Sequence, residues 1–402
     1  MSWPSNSEEL PPELADSDAA AGFEITSDFQ RFNQMDDMFT RAFWDDTVRS
    51  VDTDGFFASY RMDANPRKGE GFSQRDFALR NAAWMISDVI SNRGGEKGIR
   101  EGFQGAIEND TPIAPVRTPL GTPDEEANSI KNVAKLFGAD LVGITAIDPR
   151  WHYSHRPDLR TMTAVLNDLP EGLAHVIVMG HAMDIDLVDT YPSALAGAST
   201  GREYSHETAI VMQVAAYIRN LGYQAVASMN DTALVIPYAI KAGLGEYGRN
   251  QMVLTPEFGP RVRFSKIFTD MPMANDAPKS LGLTRYCVDC TVCADACPPK
   301  ALPTGAPVVG SDSPSTVKGV KKWSANCEAC FGYWAKIKTD CAICMRVCPF
   351  NRRYDKLVDR IWFALATSRW RAVARWYDAR KGRRPRLRPR DWWAAMTGAK
   401  IK

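Results

Sequence analysis

Cys287-Val-Asp-Cys290-Thr-Val-Cys293-Ala-Asp-Ala-Cys297-Pro298 carries four cysteines at the spacing that holds [4Fe-4S] clusters, and Cys341-Ala-Ile-Cys344-Met-Arg-Val-Cys348-Pro349 repeats its latter part. Three thiolates two residues apart fold around one cube, while the fourth cysteine opens a helix that points at a second. By this crossed pattern Cys287, Cys290, Cys293 and Cys348 belong to one cluster, and Cys341, Cys344 and Cys297 hold three corners of the other. Its fourth corner falls to Cys330 or Cys327. Zinc ligands usually come as separated pairs, so two runs that each end in Cys-Pro favour iron–sulfur over two zinc sites. All nine cysteines lie between Cys287 and Cys348, and an odd count in so long a chain argues against a disulfide scaffold.

Around this cluster the chain is an ordinary globular one. Its 402 residues imply two or three domains at roughly 100 to 200 residues each. With 45% hydrophobic and 24% charged residues, disordered and fibrous classes are out. The longest apolar runs, residues 174–179 and 233–240, fall short of the roughly 18 residues a membrane span needs. The N-terminus is polar and acidic, without an apolar signal core or twin arginine, so a cytoplasmic location is expected, at most peripheral to a membrane. Export is expected only for a chain whose signal has been removed. Residues 369–402 carry nine Arg and three Lys against Asp378 and Asp391, in a chain whose net charge is +1. Trp370, Trp376, Trp392 and Trp393 interleave with this basic run. Three readings compete: a helix on an anionic membrane surface, a nucleic-acid arm, and a helix docked on its own domain, with the nucleic-acid reading weakest.

Residues 1–120 read as a partly helical region that wraps the core. Thr122-Pro-Asp-Glu125 is a capping box with Pro at the first helical position, opening a helix to about Phe137 that Gly138 stops. Residues 141–147 and 174–179 have the look of strands buried on both faces. Thr200-Gly-Arg-Glu203 reads as a second capping box, ahead of an apolar helix that Gly222 ends, and residues 223–229 as the next strand. The alternation gives an α/β domain over 121–275, followed by a two-cluster domain over 276–352 and a basic, aromatic helical tail over 353–402. Gly243-Leu-Gly245-Glu-Tyr-Gly248 matches G-x-G-x-x-G without a convincing strand before it. Gly243 and Gly245 are thus cofactor-contact candidates in competition with a plain turn after a helix over 232–242.

From roughly residue 25 to residue 352 the chain resembles the corrinoid-dependent reductive dehalogenases, catalytic subunits that hold a cobamide and two [4Fe-4S] clusters. The resemblance rests on FQRFNQMDDMFTRAFWD (29–45), IRNLGYQA (218–225), KAGLGEYGRNQMVLTPEFGPRVRFSKIFTDMP (241–272), Lys322-Trp323, Phe331-Gly-Tyr-Trp334 and the paired cysteine runs. It implies a cobalamin-binding, nitroreductase-like α/β core with a bacterial ferredoxin-like two-cluster domain. It also implies Cys330 as the missing cluster ligand, since the family's lone cysteine stands seven residues after the Lys-Trp tryptophan, and leaves Cys327 as a core thiol.

Carried over residue by residue, the family's proton donor is Tyr204, its amide-bearing residue Asn230 and its arginine Arg263. Thr200, Phe39, Thr40 and Trp334 fall near the pocket or the corrin edge. A first-turn position in a capped helix would favour the tyrosinate of Tyr204 through the macrodipole. Against these roles stand plainer ones: a half-buried tyrosine, a strand-end ion pair for Arg263, a turn for Asn230 and an N-cap for Thr200. No histidine stands in D-x-H-x-x-G, so a histidine beneath the cobalt is not expected. The implied partners are an organohalide and an external electron donor: a ferredoxin, a flavodoxin or a membrane donor. The rival readings are an epoxyqueuosine reductase-like enzyme acting on tRNA, which uses an acidic proton donor, and an electron carrier with no substrate of its own.

Overall fold

A sheet of four short strands, three of them foreshadowed by apolar runs, positions everything else. The computed structural model describes residues 12–61, 69–167, 169–382 and 385–398. In chain order, the elements used below are α1 (Met38–Trp44), α2 (Val51–Ala58), α3 (Gln74–Ser91), α4 (Pro123–Leu136), β1 (Leu141–Ala146), β2 (His175–Ala182), α5 (Gly197–Asn220), β3 (Ala225–Ser228), α6 (Val235–Lys241) and β4 (Val262–Thr269). The cluster region follows with α7 (Leu283–Asp289), α8 (Val292–Ala296), α9 (Cys327–Ile337) and α10 (Ile343–Arg346), then the tail with α11 (Leu357–Ala366), α12 (Arg371–Lys381) and α13 (Pro389–Thr397).

The strand order is β1-β2-β4-β3. Every pair is antiparallel, with His181 opposite Arg263 and Ile177 opposite Ile267. One face packs Ile144, Ile177, Met179 and Ile267 against Val211, Val214 and Ile218 of α5. The other sets Val176, Val178, Phe264 and Phe268 against Tyr238, Ala239 and Ile240 of α6. The continuous apolar runs therefore report burial on both faces and carry no information on strand direction. β4 had no such run: Arg263, Ser265 and Lys266 interrupt it, yet it lies in the sheet interior between β2 and β3.

Thr122 caps α4 as its sequence implies, with both halves of the capping box made and Pro123 at the first helical position. The second capping box does not form. α5 begins at Gly197 without a side-chain cap. The small residues 196–199 extend the helix upstream, and Asp340, far away in sequence, takes the Thr200 hydroxyl at 2.8 Å. Tyr204 consequently lies two turns into the helix, beyond the reach of the end charge, and the macrodipole argument for it lapses. α6 is also shorter than its expected span, starting after a left-handed Thr232 (φ 68°).

The tail is docked on its own protein. Trp362 of α11 is buried with Tyr286, Phe350 and Cys348, and Asp378 of α12 accepts from Tyr286 Oη and Trp362 Nε1, each at 3.0 Å. Trp393 of α13 donates to Asp76 Oδ1 at 2.8 Å while Trp392 and Trp393 pack beside Leu195. Trp370 and Trp376 remain exposed. Among the described residues no helix is long and apolar enough to cross a membrane.

One close approach sets the position of α3. A Cβ on Gly201 of α5 would stand 2.3 Å from Cδ1 of Trp84. A helical Gly→Ala change normally gains up to about 1 kcal/mol. Here Gly201→Ala is expected instead to lower stability by about 1–3 kcal/mol through overpacking, read as a lower denaturant midpoint and an altered Trp84 environment in fluorescence; a raised midpoint would contradict the packing.

Candidate active site

The cysteines come together in two groups. Cys287, Cys290, Cys293 and Cys348 line one small cavity with Asn250, Tyr286, Pro349 and Phe350. α7 and α8 supply the first three, and the chain leaving α10 brings Cys348 in from the other run. Burial pushes the Cys287 and Cys293 thiols up to about 12 and Cys348 well above its ordinary value, each raised further by neighbouring cysteines. The second group is Cys297, Cys330, Cys341 and Cys344. Burial raises Cys330 and Cys341 to about 12, and both are lifted further by Cys297; Cys344 is raised by burial and then by Cys341 and Cys330. Cys327 neighbours Cys330 on the same helix and raises it, but its own Sγ is directed to the carbonyls of Ser315 and Ala325 at 3.7 Å.

This arrangement fits two iron–sulfur clusters. All nine cysteines are free thiols. Among the described residues no three Cys, His, Asp or Glu side chains draw together tightly enough for one metal ion. Bound iron would supply the positive charge that keeps such crowded thiolates ionised. Asn250 Nδ2 is a buried donor without a hydrogen-bond partner in the wall of the first cavity, suited to a sulfur acceptor. Arg249, which sequence reasoning passed over, is 1% exposed. It ties the loop down by donating to the carbonyls of Cys287 (2.9 Å), Cys290 (2.8 Å) and Gly305 (2.7 Å).

Tyr204, Asn230 and Arg263 meet on the α5 side of the sheet. Asn230 Nδ2 donates to Tyr204 Oη at 2.6 Å, and Arg263 Nη2 donates to Asn230 Oδ1 at 3.1 Å. The Arg263 guanidinium carbon lies 3.4 Å from the Tyr204 ring centroid. Trp84 and Phe103 both stack on the same ring, with centroids 4.4 and 5.3 Å away. Glu207, one turn along α5, accepts from Arg263 at 3.1 Å and is fully buried. Burial raises the Tyr204 phenol above its ordinary value, with Arg263 and Asn230 pulling the other way. The group is thus a neutral phenol at neutral pH, with donors in place for the anion it would become.

The remaining candidates divide. Phe39 and Trp334 meet in an aromatic cluster with Phe56 and Phe331, linking α1 and α2 to the helix of Cys330. Phe39, Phe43 and Trp44 keep 43, 52 and 42% of their surface exposed. The Thr40 hydroxyl is spent on Asp37 at 2.6 Å and that of Thr200 on Asp340, so both serve local structure. Gly243 and Gly245 close a turn on the chain's own backbone. A Cβ on them would meet Ala277 O at 2.6 Å and Leu254 O at 2.3 Å, which accounts for both glycines without a cofactor. Glu207, Trp84 and Phe103 were missed; an acid three residues after Tyr204, on the same helix face as Val211 and Val214, was the available signal for Glu207.

Residues 160–273 match the reductive dehalogenase subunit family, and residues 286–351 match the 4Fe-4S double cluster binding domain. The tetrachloroethene reductive dehalogenase of Sulfurospirillum multivorans is 32% identical over 315 residues, 71% of this chain and 63% of that protein. That of Desulfitobacterium hafniense is 35% identical over 272 residues, 57% of this chain and 48% of its own length. A solved reductive dehalogenase, whose structure suggests a mechanism for B12-dependent dehalogenation, superposes with a TM-score of 0.67 at 24% identity, covering 88% of this chain and 46% of that one. The likeness is one of fold, and the chain spans about half the length of several of the proteins it matches.

The grouping of the cysteines yields a test. Cys330→Ala is expected to lose one cluster, about half the iron, whereas Cys327→Ala keeps both. Iron content and electron paramagnetic resonance of the two variants decide it, and the reverse pattern would exchange their roles.

Proposed function

We propose that this chain is a reductive dehalogenase, which removes halide reductively from an organohalide, with Tyr204 delivering the proton that replaces it. The observation that supports this most is the convergence of Tyr204, Asn230 and Arg263, with aromatic rings stacked on the tyrosine, in a chain that also gathers eight cysteines into two groups. A corrinoid, when bound, supplies the reducing cobalt centre that breaks the carbon–halogen bond, and the two clusters supply its electrons from an external donor. Phe39 and Trp334 are the residues we assign to the corrin edge.

What the chain's own residues do follows from their geometry. The Tyr204 phenol holds its proton through the neutral range because burial opposes the anion. As that proton leaves, charge develops on Oη, where the Asn230 amide already donates at 2.6 Å and the Arg263 guanidinium lies against the ring. Donors fixed before the charge forms cost no reorganisation when it does. Glu207 keeps the guanidinium in place, and Trp84 and Phe103 hold the ring and keep water from it.

Tyr204→Phe is expected to keep both clusters and the corrinoid while losing about 10²- to 10⁴-fold in halide release, the usual worth of a general acid. Near-normal release would remove Tyr204 from the chemistry, and a lost corrinoid would make its role structural. Arg263→Lys is expected to be damaging as well, because one ammonium cannot reach Glu207, Asn230 and the Tyr204 ring together as the planar guanidinium does. Steady-state halide release beside the cobalt absorption spectrum reads both variants.

A further inference from the structure

Around Arg263 the core holds more acid than its ion pairing uses. Glu207 is fully buried, and only its Oε1 meets Arg263; its Oε2 has no hydrogen-bond partner. Glu203, one turn earlier on the same face of α5, is 3% exposed, and its Oε1 also lacks a hydrogen bond. Next to it the His206 ring, half exposed, approaches Glu203 Oε2 at 3.8 Å, and Arg202 approaches Oε1 at 3.6 Å from the surface. A line of proton-holding groups thus runs from solvent at His206, through Glu203 and Glu207, to the guanidinium that lies on Tyr204.

Resting on the reading of Tyr204 as proton donor, we infer that Glu207, fed by Glu203, returns a proton to Tyr204 after each turnover. Donation to carbon leaves a phenolate at Tyr204. That phenolate competes with Glu207 for the one guanidinium they share, and its own negative charge lies close by; both effects raise the affinity of Glu207 for a proton. Glu207 takes a proton from Glu203, and the new O–H bond then breaks as that of Tyr204 re-forms, through one bridging water. Glu207 is left as the carboxylate that pairs with Arg263, and Glu203 recovers a proton from solvent, so a single proton enters for each one delivered. Arg263 keeps its charge throughout.

The titration of the two acids suits the task. Burial raises Glu207 to about 7 against the opposing pull of Arg263 and Lys266. Burial likewise raises Glu203 to about 7, with Arg202 and Arg263 lowering it and Asp140 and Glu207 raising it. Two carboxyls that exchange protons near neutrality on one helix face titrate as a pair. His181, opposite Arg263 in the sheet, is held neutral by burial, at about 3, and takes no part in the exchange.

The test uses the full chain loaded with both clusters and corrinoid, and tetrachloroethene as the probe. In Glu203→Gln, which leaves the Glu207–Arg263 ion pair intact, the first turnover draws on a proton already on Tyr204. One equivalent of chloride per chain is therefore expected at the wild-type rate, followed by turnovers slowed by about 10²-fold or more. A first turnover slowed as much as the later ones, or no slowing at all, would overturn the inference. Infrared titration gives a readout independent of turnover: carboxyl bands that grow as pH falls through neutrality, one lost in Glu207→Gln and another in Glu203→Gln. If the wild-type chain releases no halide from tetrachloroethene or from a panel of other organohalides, the functional reading has failed on its own. The infrared arm then decides alone, and a spectrum that loses no band in Glu207→Gln overturns the proton path.

Discussion

The crossing of the two cysteine runs is the constraint on which the rest of the molecule depends. Cys348 comes back from the second run to stand with Cys287, Cys290 and Cys293, while Cys297 leaves the first run to stand with Cys330, Cys341 and Cys344. The segments bearing them are short helices and loops that bury little apolar surface of their own. Arg249 compensates in part by binding five loop carbonyls at once, and the tail closes the outside by placing Trp362 against Tyr286 and Phe350. The same crossing orients α9, so that Phe331 and Trp334 meet Phe39 and Phe56 and join the cluster region to the N-terminal helices.

A second, smaller dependence runs through Arg263. It sits on the strand that forms the sheet interior, and its guanidinium reaches Glu207, Asn230 and the Tyr204 ring from one position. Burying this charge is costly unless it is paired and hydrogen-bonded, and Glu207 meets that need. Burial keeps Tyr204 protonated against the pull of Arg263, and the carboxylate that neutralises the arginine raises the phenol as well. Stability and proton donation thus draw on one set of contacts.

How much of this the sequence disclosed follows a physical rule: local signals were legible, and distant competitors were not. The capping box at Thr122 has no rival for its hydroxyl and forms. The equally good pattern at Thr200 fails because Asp340 lies within reach only after folding. β4 was obscured because Arg263 and Lys266 are buried charges whose partners, Glu207 and the carbonyls of Met229 and Asp231, come from other segments. The cysteine runs were the clearest text, since their spacing is dictated by the object they hold. The tail's composition suited three readings, and only the contacts of Trp362, Asp378 and Trp393 show it docked. Glu203 and Glu207 carried a local signal, acid on an apolar helix face, but their meaning required Arg263.

The central claim, that this scaffold performs reductive dehalogenation, is met most directly by one measurement. The wild-type chain, loaded anaerobically with iron, sulfide and cobalamin and supplied with a low-potential reductant, is assayed for halide release from a panel of aryl and alkyl halides. The account predicts halide and dehalogenated product in equal amounts from at least one of them, dependent on cobalamin. A chain that holds its full complement of iron and cobalt yet releases no halide from any would contradict it.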